Sequence, residues 1–146
     1  MKLLFIIILF FQSLFAIGEA GGIFLLIPPG AMAQGMGEAM VANTNTALMS
    51  YYNPASISFS DKNRISATHV NWLPNLASDM YYQFIAFNYR LDERVSMGGH
   101  IIYLDGDIYC DKGIRKAVAF SLAYKLSNTS SVGFNIKTYE QKIDCI

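Results

Sequence analysis

An excess of charge of either sign is missing from this chain. Eleven Lys and Arg face eleven Asp and Glu in 146 residues, for a formal net charge of zero. No basic surplus is left to neutralise a phosphate backbone, which excludes an ordinary nucleic-acid binder. No acidic surplus is left to hold a tail disordered. Charged residues make up only 15% of the chain, against roughly 25% in soluble domains. Cysteine is scarce, and Cys110 and Cys145 fit neither a zinc spacing nor a C-x-x-C redox pair. The length suffices for one ordinary core, so disulfide stapling is not required. What is abundant is apolar and aromatic, at 53% and 14%. The mean hydropathy of +0.29 is high for a soluble protein, yet too low and too evenly spread for a bundle of membrane helices. A transmembrane β-barrel tolerates this mixture, because its strands are apolar only at every second residue.

Met1-Lys2 precedes an apolar run from Leu3 to Phe11 and small residues around Ala16. A short basic start, an apolar core and small residues describe a secretory signal peptide over 1–20, cleaved after Ala16 or Ala20. A membrane anchor needs roughly 20 apolar residues, and Gln12-Ser13 and Gly18-Glu19 interrupt the run too early. Residues 21–60 then form a segment unlike the rest. Its apolar run Ile23–Ile27 is stopped by Pro28-Pro29-Gly30. Gly30, Gly35 and Gly37 stand among small residues and Met36, a composition that suits close backbone packing in a narrow space. A phosphate-cradling loop would need the G-x-x-x-x-G-K-S/T lysine, which is absent. Asn43 or Thr44 is placed to cap a short helix running through Tyr51. Asn53-Pro54 reads as a second helix start, with Asn at the cap and Pro in the first turn.

From residue 61 to 146 the period changes to two. Val118, Phe120, Leu122 and Tyr124 alternate with Ala117, Ala119, Ser121 and Ala123. Val95, Met97, Ile101 and Tyr103 alternate with Ser96, Gly98 and His100, and Val132, Phe134 and Ile136 with Gly133, Asn135 and Lys137. Phe87, Tyr89 and Leu91 oppose Asn88 and Arg90, while 64–72 carries the weakest pattern. Large apolar residues on one face and small or polar ones on the other suit lipid outside and a crowded lumen inside. The runs are about 9 to 12 residues, near the 9–11 of a tilted membrane strand. Short polar turns at Asp92-Glu93 and Ser127–Ser130 alternate with longer links at 71–79 and 105–115, flanked by Trp72, Tyr81, Tyr82, Tyr103 and Tyr109. That asymmetry resembles the periplasmic and outer ends of an outer-membrane barrel.

Two stretches carry a family resemblance. Gly30–Ala42 followed by Tyr52-Asn53-Pro54-Ala55, together with His69-Val70-Asn71-Trp72-Leu73-Pro74, is similar to PorV/PorQ-type outer-membrane proteins of the FadL-like barrel superfamily. Met32 departs from the family's usual Arg, and Asn43-Thr44-Asn45 from its acidic stretch. The resemblance implies an all-β fold, a transmembrane barrel of about 14 strands preceded by a short, partly helical entry or plug segment tucked into or under the lumen. The motif residues Gly30, Gly35, Met36, Gly37, Asn53, Pro54, Ala55, His69, Trp72 and Pro74 are then structural. This chain supplies about five strands and reads as the front part of such a barrel, truncated at its C-terminal side.

Catalytic chemistry has no foothold in these motifs. No Gly-x-Ser-x-Gly elbow occurs, His69 reads as a girdle or lumen residue and His100 as a lumen residue rather than a metal pair, and Asp105-Gly106-Asp107 lacks an EF-hand continuation. No enzyme activity, metal or cofactor is expected. Cys110 and Cys145 could both lie outside, where an oxidising compartment permits a disulfide. The resemblance implies an outer-membrane protein of secretion or surface attachment, type IX-like, with lipid, secretion-machinery proteins and exported cargo as partners. Two alternatives stand beside it: a FadL-like channel for hydrophobic small molecules, and a soluble periplasmic β-sandwich.

Overall fold

A computed structural model describes residues 22–75, 80–106 and 112–144. The expected signal peptide, its cleavage site, and Cys110 and Cys145 lie outside them. Five strands form one antiparallel meander: β1 (Arg64–Asn71), β2 (Tyr81–Arg90), β3 (Val95–Asp105), β4 (Lys112–Lys125) and β5 (Ser131–Asp144). The fold is all-β and barrel-like, with a sheet that is not closed. Each strand pairs with its sequence neighbours, as short turns between consecutive strands dictate.

The period-two pattern decides which face each side chain takes. On β4, Ala117, Ala119, Ser121 and Ala123 are at most 4% exposed, whereas Val118, Phe120, Leu122 and Tyr124 are 42–49% exposed. On β2 the inward Tyr82, Phe84, Ala86 and Asn88 alternate with exposed Ile85, Phe87 and Tyr89. Ser96, Gly98 and His100 are buried on β3 while Ile101 is exposed. On β5, Val132, Phe134 and Ile136 are exposed. The outward face is therefore a continuous apolar surface, and among the described residues no second sheet covers it. A soluble sandwich would bury that face against another sheet.

Two expectations about the strands need correction. The runs at 116–126 and 132–142 grow into 14-residue strands, longer than the expected 9 to 12. Because β4 begins at Lys112, the second long link shrinks to 106–111, little longer than the turn at 126–130. Backbone bonds close these ends: Gly106 N donates to Gly113 O at 2.9 Å, and Leu126 N to Ser130 O at 2.9 Å. The ends of β4 and β5 away from their shared turn carry charge on the outward side. There Lys116 Nζ meets Glu140 Oε2 at 2.7 Å and Lys142 Nζ meets Glu140 Oε1 at 3.2 Å. A membrane strand needs only about 9–11 residues, so these charges occupy the surplus.

The segment from Gly22 to Asn63 lies against the inward face. It contains 3₁₀ turns at Ile23–Leu26 and Pro54–Phe59, and two short helices, α1 (Ala31–Gly35) and α2 (Met49–Tyr52). One core joins the two layers, with Phe24, Met40, Leu48, Met49 and Ile57 packed on Tyr82, Phe84, Ile102, Leu104 and Ala117. Pro28-Pro29 ends the first apolar turn before α1, as the missing amide and fixed φ require. Gly30 has φ +91°, and a Cβ there would stand 2.7 Å from Leu48 Cδ1, so only glycine makes that turn beneath the core.

Candidate functional site

The inner face of the sheet is occupied by the chain's own plug, and Ser50 is its most connected point. Ser50 is fully buried on α2. Its hydroxyl lies 3.2 Å from Gly99 O and 3.3 Å from His100 Nδ1, both on β3. Its carbonyl accepts from Ser121 Oγ on β4 at 3.4 Å and from Asn135 Nδ2 on β5 at 2.9 Å. One residue thus binds three consecutive strands. A four-residue helix makes this possible, because the carbonyls of so short a helix have few partners within it.

The rest of the plug is pinned above and below that hub. Tyr51 Oη donates to Leu25 O at 2.6 Å, Tyr52 Oη to Pro29 O at 3.4 Å, and Tyr82 Oη of β2 to Ile27 O at 3.2 Å. Asn88 Nδ2 donates to Thr46 O at 2.9 Å. Burial holds the Tyr51 phenol above its usual range, with Glu38 adding to the shift. Burial, then Tyr51 and Glu38, push Tyr52 up to about 12. Both phenols stay protonated donors at any physiological pH. His100 stacks on Phe84 at 5.6 Å and meets Tyr51 edge-on at 5.6 Å, and Lys137 Nζ lies 5.1 Å over the Tyr51 ring.

The expected motif residues divide into two groups. Asn53 caps the 3₁₀ turn as expected, its Oδ1 accepting from Ala55 N at 3.2 Å with Pro54 in the first turn. Its Nδ2 reaches back to Val41 O at 2.9 Å. Ala55 O accepts from Ser131 Oγ at 2.9 Å, and the Ala55 backbone lies where a Cβ on Gly133 of β5 would be. Asn-Pro-Ala is therefore the seat of the plug on β5. Gly30 joins it in the core, but Gly35, Met36 and Gly37 do not. Close packing was expected at Gly35 and Gly37, yet a Cβ at either meets nothing within 4 Å, and Met36 is 48% exposed. The close approaches fall instead at Gly30, Gly98, Gly99 and Gly133. Gly37 keeps a backbone reason, since its φ is +59°.

The hairpin residues lie at the long-link end. His69 is on the outward parity of β1, away from the plug, and stacks on Tyr81 at 5.8 Å. Trp72 is half-buried over Tyr82 at 6.0 Å, and Pro74 is exposed in the link. Trp72, Met80 and Leu104 with Ile23, Phe24 and Ile27 line a largely apolar hollow of about 380 Å³. The cap expected from Asn43 or Thr44 is not made. Asn43 Oδ1 accepts from Asn45 N at 2.8 Å and Thr46 Oγ1 from Leu48 N at 3.3 Å, so the polar residues fold the approach to α2 and leave its start uncapped.

The alternation placed His100, Gly133 and Asn135 inside but showed neither Ser50 nor the close approach of Ala55 to Gly133. A serine between Met49 and Tyr51 has no local signal, and its importance arises only when three strands converge on it. Residues 15–140 match the family model described as type IX secretion system protein PorV. No curated protein and no solved structure matches the chain. With most of its length covered, the chain belongs to the PorV family of type IX secretion system proteins.

Proposed function

We propose that this chain forms the wall and plug of an outer-membrane β-barrel that handles exported proteins for type IX secretion or surface attachment, without catalysing a reaction. Family membership gives the secretion system. The observation that carries the barrel is the division of faces: an exposed apolar outward surface over five strands, backed by an inward face of small, aromatic and polar residues that the chain itself covers. In hydrocarbon such a sheet needs both edges, β1 and β5, paired with further strands, because each unsatisfied backbone group there costs several kcal/mol. Export follows from residues 1–20 as a cleaved signal. N-terminal sequencing of the mature protein is expected to begin at Ile17 or Gly21.

The test is deletion of the gene followed by surface proteolysis and fractionation. Cargo of the secretion system should then accumulate in the periplasm, and the restored gene should return it to the surface. Undisturbed cargo display would overturn this reading. The hollow bounded by Ile23, Phe24, Trp72 and Leu104 favours a second reading, a channel for hydrophobic small molecules. That reading predicts lost uptake of such molecules with cargo display intact.

A further inference from the structure

The short-turn end of the sheet carries a basic hollow. Arg90, Arg94 and Lys125 line it with Glu93, Ser127 and Asn128, around about 260 Å³. Three cations meet one carboxylate, and among the described residues none of the three cations forms an ion pair. Their contacts go elsewhere: Arg90 Nε donates to Asp92 O at 3.1 Å, and Lys125 Nζ lies 5.5 Å over the Phe59 ring. Gathered like charges raise one another's energy, and an oxyanion relieves that while arginine offers it a two-pronged bond.

The register decides which surface this is. Arg90 pairs with Ser96, Lys125 with Ser131, and Arg94 precedes outward Val95. All three take the inward parity, opposite to Tyr89, Val95 and Tyr124. Lipid headgroups would meet the outward side chains, whereas the hollow opens at the mouth beneath the end of the plug. It also has room for more than one oxyanion, with the Ser127 hydroxyl and Asn128 amide as further hydrogen-bond groups.

We propose that this mouth docks an acidic peptide segment from the short-turn side of the membrane, its carboxylates seated on Arg90, Arg94 and Lys125. The proposal rests on the barrel reading above, in which the short turns face the periplasm. It can be tested on the barrel with β1 and β5 paired to further strands, in detergent, by fluorescence anisotropy with a labelled hexaglutamate peptide. Uncharged hexaglutamine, inorganic phosphate, and vesicles of phosphatidylglycerol are the comparison probes. Hexaglutamate should bind, hexaglutamine should not, and added salt should weaken binding. The variant Arg94→Gln/Lys125→Gln should lose affinity about tenfold, the size expected for removing two exposed charges from a site.

Equal binding of the two peptides, or equal binding by the variant, would overturn the proposal. So would capture of the vesicles through the same residues, or phosphate competing as strongly as the peptide, since either assigns the site to a lone phosphate group. The wild-type comparison of the two peptides needs no variant to fold. Migration on semi-native gels before and after boiling separates the two claims. A heat shift without peptide binding overturns the mouth alone, and a missing heat shift overturns the barrel and the mouth with it.

Discussion

Ser50 joins the plug to β3, β4 and β5 through one hydroxyl and one carbonyl. Replacing it with Val removes the hydroxyl from His100 and leaves the buried Nδ1 unpaired beside a Nε2 that already has no protein partner. The expected cost is about 1–3 kcal/mol, read as faster protease cutting of residues 22–60 in the folded protein; unchanged cutting would contradict the hub. Gly133→Val should be worse than Gly35→Val, because a Cβ at 133 meets the Ala55 backbone and one at 35 meets nothing within 4 Å. Yield of folded protein for the two variants decides this. The plug tyrosines give a pH dependence. Tyr52 is raised from 10 to about 12 by burial, so the unfolded plug loses its proton first. Docking is then level from neutral pH to about 10 and weakens progressively between about 10 and 12. Protease resistance of the plug against pH checks the sign.

At the scale of elements, period two was legible and the plug's contacts were not. The outward side chains of β4 from Val118 to Tyr124 could be named from alternation alone, because register and burial both repeat every second residue. The Asn53-Pro54 turn was legible too, since cap and fixed φ are local chemistry. The glycines were harder: a glycine-rich run shows that close approach is possible, not where a strand supplies the other backbone. Gly35 and Gly133 look alike in sequence and differ only in what lies opposite. Strand ends were missed because Lys112–Arg115 breaks the apolar pattern while the backbone ladder continues past it. An arginine at Phe120, in the apolar part of β4, should cost roughly 2–4 kcal/mol near the middle of a bilayer. At Lys137, on the inward side of β5, Arg should cost little, whereas Ala119 is only 4% exposed and has no room for it. Denaturant titration of the two variants in lipid measures the difference, and similar losses at Phe120 and Lys137 would contradict the face assignment.

For the whole molecule, wall and plug are one structure. The core that joins them includes Phe24 and Met49 from the plug and Phe84 and Ile102 from the strands, so neither layer buries its apolar side alone. The plug also fills the inward face opposite β3, β4 and β5, which leaves the hollow near Trp72 and the basic mouth near Arg94 at opposite ends of the sheet. Everything proposed about secretion depends on the outward face meeting lipid. The most direct measurement is a nitroxide scan of positions 117 to 124 in the protein reconstituted in bilayers, reading relaxation by oxygen against a water-soluble nickel chelate. High oxygen and low nickel access at 118, 120, 122 and 124, with low access to both at 117, 119, 121 and 123, is the predicted result. Nickel access at the even-numbered positions, as on a soluble sheet, would contradict it.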